Sequence, residues 1–172
     1  LEEIATHYQK KGTMPTTYKL SRKQAFLATG ELNAAMQRMS QEPSSQQKNF
    51  DTVYELVILN QTFLSALASL STYIQNHATT EASSHFNSYT KSIVQNLKQA
   101  ESMLQHSKID IDLVDHKEAE DYMQKRYEEL SDSVSEHKYV EVQEAQLIKE
   151  QLRWLRSISE EIIDRIKDID GL

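Results

Sequence analysis

The chain has 172 residues, a formal charge of −7, no cysteine, and only 3 glycines and 2 prolines. One domain of that length hides about 70% of its unfolded surface, enough for a real core, and so few turn residues favour long helices over strands. The acidic balance argues against nucleic acid as a partner, because phosphate binding needs a clustered basic face, and the lack of thiols excludes disulfides, thiolate metal sites and cysteine nucleophiles.

In chain order, residues 1–11 place Leu1, Ile4, Ala5 and Tyr8 at helical spacing, and Gly12 to Pro15 break the pattern. A long helix is predicted to start near Thr16 or Thr17, whose hydroxyls can cap exposed amides. Its stripe is Tyr18, Ala25, Leu32, Met36 and Met39, with Leu20, Phe26 and Leu27 widening the apolar side. Gly30 costs this helix about 1 kcal/mol against alanine, and close approach of a neighbouring helix would explain it. Glu42 precedes Pro43, whose ring disfavours helical geometry in the residue before it, so the helix stops there.

A polar connection, 44–49, leads into a helix predicted over 50–76. One stripe reads Leu56, Leu59, Phe63, Ala66, Leu70 and Tyr73; a second reads Val53, Val57, Leu64, Leu67 and Ile74. A helix apolar on two sides is usually central, so this segment is expected to be the core of the domain. Its best apolar run, 56–70, is interrupted by Asn60, Gln61, Thr62, Ser65 and Ser69, short of the roughly 20 residues a membrane span requires. The chain is therefore expected not to cross a bilayer.

After a turn at 77–80, a helix over 81–106 carries Phe86, Tyr89, Ile93, Leu97, Ala100 and Leu104. Residues 109–113 alternate apolar and acidic side chains but have no partner strand, and read as a connector. A strongly charged helix is predicted over 116–136. The last helix, 140–168, carries Leu147, Ile148, Leu152, Leu155, Ile158, Ile162, Ile166 and Ile169, with Trp154 on its margin and Gly171 as a stop. The fold class that follows is all-α: an antiparallel bundle of four long helices plus one or two shorter ones, one domain over 1–172.

Chemistry-bearing patterns are scarce. The histidines, His7, His77, His85, His106, His116 and His137, are scattered, and no Glu-x-x-His, His-Glu-x-x-His, phosphate-cradling glycine loop or nucleophile elbow occurs. His116 and Glu120 share a helical face at i, i+4, but such a pair is mostly a solvated one. The carboxylates of 116–136 suit a soluble face better than acid–base work, which needs burial or a like-charged neighbour. No catalytic residue, metal site or cofactor is assigned, and the chain is expected not to be an enzyme. Met36 and Met39 read first as core and second as an adaptable partner surface. Lys19, Arg22 and Lys23 form a local basic cluster, suited to salt bridges with acidic faces or to lipid headgroups, where each cation adds about 1 kcal/mol.

Tyr18, Arg22, Ala25, Leu32, Met39 and the Glu42-Pro43 pair resemble a pattern of the fusaric acid resistance (FUSC) family of bacterial inner-membrane proteins, in the segment after the second membrane bundle. Residues 60–73 are similar to the next helix of that segment, and 151–155 resemble its closing helix more weakly. The resemblance covers residues 18–75, about a third of the chain. It implies a non-catalytic domain on the cytoplasmic side of the inner membrane, excised from a longer exporter of aromatic acids and similar compounds. Its expected partners are the membrane portion of the same protein and other copies of itself. Its expected role is assembly or gating, with Lys19, Arg22 and Lys23 at the membrane-near end. The alternative is a free-standing helical protein–protein interaction module whose groove receives a partner helix.

Overall fold

Scarce helix breakers translate directly into long helices. A computed structural model describes residues 1–4, 15–76, 84–105, 124, 128 and 136–169. Four long helices organise it: α1 (Thr16–Ser40), α2 (Phe50–Asn76), α3 (Ser84–Leu104) and α4 (Glu136–Lys167). The described residues contain no strand, and the all-α bundle expected from the spacing is the fold. Most of the expected helices at 1–11 and 116–136, the turn at 77–80, the connector at 109–113 and the Gly171 stop lie outside the described residues.

The helix ends follow local chemistry. Pro15 occupies the N-cap position of α1 with no side-chain hydrogen bond, so neither Thr16 nor Thr17 caps the helix. Instead the Pro15 carbonyl accepts from the backbone N–H of Tyr18 at 3.1 Å and of Lys19 at 3.5 Å. The other end closes as Glu42-Pro43 requires: Ser40 is the last helical residue, and the Gln47 amide donates to the Ser40 carbonyl at 3.2 Å and the Glu42 carbonyl at 2.6 Å. Asn49 then adopts φ 55° immediately before α2, a left-handed conformation that asparagine tolerates better than most residues. Within α2, Thr62 Oγ1 donates to the Ile58 carbonyl at 2.8 Å and Asn60 Nδ2 to the Leu56 carbonyl at 2.9 Å. Two of the polar residues that interrupt the apolar run are thus satisfied by the helix itself.

The helices pack in a definite order. α4 makes the most extensive contacts, with α3 and with α2, and α1 packs on α2. Tyr18 meets Ser71, and the Gln61 amide donates to Asn33 Oδ1 at 2.8 Å, so α1 and α2 are antiparallel. The pairing of Arg165 with Glu55 at 2.9 Å makes α2 and α4 antiparallel too. Nearer the other end of that pair, burial and then the Glu144 charge push the Tyr73 phenol up from its ordinary pKa.

The core is the set of apolar columns where α2, α3 and α4 meet. α4 contributes Ile148, Leu152, Leu155, Ile158, Ile162, Ile163 and Ile166; α3 adds Phe86, Tyr89, Ile93 and Ala100; α2 adds Phe63, Ala66, Leu70 and Ile74. Ile4 joins the same cluster, fully buried. The expectation that α2 is the core is therefore only half met. It does have partners on two sides, but α4 is the helix that α2 and α3 share. By length and composition α2 is apolar enough to cross a membrane, the one such helix among the described residues, against the expectation that no stretch qualifies; 22% of its most apolar stretch is buried. A core helix meets the same criterion.

Three further expectations are corrected. Leu20, Phe26 and Leu27 do not widen the buried side of α1: they are 55%, 48% and 59% exposed, because among the described long helices α1 packs chiefly on α2 and these side chains lie off that face. Gly30 has nothing within 4 Å of where a Cβ would sit, so no close helix explains it. Leu147 and Leu104, placed on stripes by spacing, are exposed, and Trp154 lies on the exposed margin as expected.

Gly30→Ala is expected to stabilise the chain by about 1 kcal/mol, since the helix gains propensity and the methyl meets nothing; urea unfolding measures it, and a loss of stability would contradict the open surroundings of this position. Leu155→Ala is expected to cost roughly 2–5 kcal/mol by opening a cavity on the central column, while Trp154→Ala stays within about 0.5 kcal/mol. The same denaturation curves compare the two.

Candidate functional site

The residues carrying the family resemblance fall on one helix and its stop, and the structure divides them. Tyr18 alone is buried; Ala25, Leu32 and Met39 are half-buried on the face toward α2; Arg22, Glu42 and Pro43 are exposed. Met36 is half-buried on that same face. Tyr18, Ala25 and Arg22 come together at one end of the bundle, whereas Leu32, Met39 and the Glu42-Pro43 turn lie further along α1.

The local sequence explains how Tyr18 is fixed. It sits in the first turn of α1, its hydroxyl donates to Ser71 Oγ, and the Gln75 amide donates to the same oxygen at 2.8 Å. Ser71 is 1% exposed, so a hydroxyl that would be costly to bury alone is saturated by two neighbours. This latch ties the start of α1 to the last turns of α2.

Two concavities flank the latch. One, of about 340 Å³, is lined by Leu1, Glu2, Glu3, Tyr18, Ser21, Arg22, Ala25, Leu64, Leu67 and Ala68. The other, of about 390 Å³, is lined by Tyr18, Lys19, Arg22, Lys23, Phe26 and Gln75. The first has an apolar floor with carboxylates and Arg22 at its edge. The second is a shallow basic groove. Among the described residues no ion pair engages Lys19, Arg22 or Lys23; the Arg22 guanidinium carbon lies 5.7 Å from the centroid of the Phe26 ring, a cation–π geometry worth about 0.5–1 kcal/mol at an exposed site. The cluster therefore keeps its cations in water and its charge available.

Spacing had no means of bringing Glu2, Glu3, Leu64, Ser71 or Gln75 to this end of the molecule, since each arrives through a tertiary contact. The one local signal was that Ser71 and Gln75 stand at i, i+4 on a single helical face.

Among the described residues no group of three or more metal-ligating side chains converges. His85 and His137 lie in α3 and α4 without described side chains, and the other histidines, with the His116–Glu120 pair, lie outside the described residues. Of the acidic helix expected over 116–136, Gln124, Glu128 and Glu136 are described, and Glu136 already opens α4; the Gln124 amide donates to Glu128 Oε1, and Lys149 Nζ donates to Gln124 Oε1, each at 2.9 Å.

No protein-family model, no curated protein and no solved structure matches the chain.

Tyr18→Phe removes a donor from Ser71, which keeps the Gln75 bond, and is expected to cost about 1 kcal/mol in unfolding free energy. The loss should appear first as faster amide exchange in the early turns of α1; uniform destabilisation across α1 to α4 would show that Tyr18 is not a local latch.

Proposed function

We propose that this bundle is a non-catalytic scaffold on the cytoplasmic side of a FUSC-like bacterial inner-membrane transporter, serving assembly or gating of the membrane part. The observation that carries the reading is the basic end of α1, where Lys19, Arg22 and Lys23 stand exposed beside Phe26 in an otherwise acidic chain, tied to α2 through Tyr18. Tyr18, Arg22 and Ala25 of the family resemblance lie at this same end. Such a surface suits an anionic headgroup layer, where each cation adds about 1 kcal/mol. Three cations do not anchor a protein alone, so covalent linkage to membrane-spanning segments is part of the proposal. Gating would require the bundle to make different contacts in two transporter states, and a stiff body latched at its membrane-near end can pass such a difference on.

A second reading, a free-standing helical interaction module, draws on the exposed Leu20, Phe26 and Leu27. One experiment separates the two. An antibody raised against the bundle is expected to detect the parent protein in the inner-membrane fraction of the source cells, released by detergent but not by high salt or alkaline carbonate. Recovery in the soluble fraction would overturn the transporter reading and favour the module.

A further inference from the structure

The outer face of α1 carries a pattern that the basic end does not account for. Tyr18, Ala25, Leu32, Met36 and Met39 turn toward α2 and are buried or half-buried, while Leu20, Lys23, Leu27, Glu31 and Ala34 are all exposed. At about 100° per residue these five fall within a wedge of roughly 80°, directly opposite the buried side. Leu20 and Leu27 are 55% and 59% exposed, the two most exposed large apolar side chains among the described residues.

Read outward from Leu27, this face is matched to itself. Four residues to either side stand opposite charges, Lys23 and Glu31; seven to either side stand a large and a small apolar residue, Leu20 and Ala34. Two copies of α1 laid antiparallel about a two-fold axis through Leu27 would set Lys23 against the partner's Glu31 twice. The same operation would seat Leu20 over the partner's Ala34 twice and bring Leu27 against its own copy. That is the self-complementarity of an isologous interface, with large residues facing small ones as interdigitating helices require. A parallel arrangement would instead oppose Lys23 to Lys23 and Glu31 to Glu31. Charge therefore selects the antiparallel pair. Neither Lys23 nor Glu31 is engaged in an ion pair among the described residues, and the open space around Gly30 leaves the helix backbone approachable beside the wedge.

We propose that the chain forms an antiparallel two-fold dimer through the outer face of α1, with the axis at Leu27. The proposal gives the assembly role above a partner, a second copy of this chain. It rests on that role alone and not on the parent's being a membrane protein.

The test uses the purified chain over a range of concentrations. Sedimentation equilibrium is expected to give a species of twice 19.9 kDa. Lys23→Glu and Glu31→Lys each place like charges at both contacts and are expected to raise the dimer dissociation constant about tenfold. An equimolar mixture of the two variants restores it, because the mixed dimer regains both opposite-charge contacts. Orientation is read independently, since the chain has no cysteine of its own. Under oxidation Leu27→Cys is expected to cross-link to its own copy. Leu20→Cys is expected to cross-link to Ala34→Cys but not to itself. A monomer at every concentration, a dimer indifferent to both charge reversals, or self-cross-linking of Leu20→Cys would overturn the proposal. None of these results bears on where the parent protein fractionates, so this inference and the transporter reading fail separately.

Discussion

The structure depends on the apolar edge of α4. Ile148, Leu152, Leu155, Ile158, Ile162 and Ile166 recur at spacings of three and four, and each is 5% exposed or less. That single edge is wide enough to serve α3 and α2 together, and the cluster it forms with them contains nearly all the buried apolar side chains among the described residues. Burial of one such side chain is worth about 1.5–3 kcal/mol, so no surface ion pair or cap competes with this column in setting the fold. The small polar residues inside it are accommodated by local bonding: Ser159, fully buried, donates to the Arg156 carbonyl at 2.7 Å and accepts from Asn96 of α3 at 2.9 Å. That bond also fixes the register between α3 and α4.

Layering follows from this edge. α2 presents one apolar side to α4 and another to α1, so it relays the core outward, while α1 is held at second hand. At the far end of α2, Arg165 reaches Glu55 at 2.9 Å and Glu161 at 2.6 Å, and the Glu161 hydrogen bond, ahead of the charges of Glu55 and Glu161, raises the guanidinium pKa. These groups are substantially exposed, so they orient helices already brought together by the core. At the near end, Tyr18 and Ser71 join α1 to α2 beneath the basic groove. The proposed scaffold role and the proposed dimer overlap on α1 at Lys23, which belongs both to the basic groove and to the outer face; Lys19 and Arg22 serve the first alone, and Leu27 and Glu31 the second.

Helix positions were legible in the sequence because breakers and periodicity are local. Pro43 ended α1 where its ring demands, the α2 boundaries at Phe50 and Asn76 followed from the polar runs around them, and the α4 column could be read from its isoleucines and leucines. Which faces find a neighbour was not legible. Periodicity groups Leu20, Phe26 and Leu27 near an apolar side, but it cannot count the helices available to cover them; among the four described long helices α1 packs chiefly on α2. The same gap explains α2, whose two stripes announced two neighbours without saying that α4 would be the shared one. Gly30 looked like a point of contact because a glycine inside a helix is costly, yet the cost here has no packing return. The end of the molecule around Tyr18 was legible only on the α1 side, through Lys19, Arg22 and Lys23, because Ser71, Gln75 and the residues preceding Ala5 reach it across the fold.

The Tyr18–Ser71 contact has a consequence for how the molecule opens. Of all α1 residues only Tyr18 is deeply buried, so the free energy holding this helix down is concentrated in its first turn and diluted along the rest. Proteins open in units whose cost tracks buried contact, and of the four described long helices α1 buries the fewest side chains. It can lift away about the 41–49 link while α2, α3 and α4 keep their common core. Its amides then exchange with solvent through a local excursion, and those of α4 wait for the whole chain to unfold.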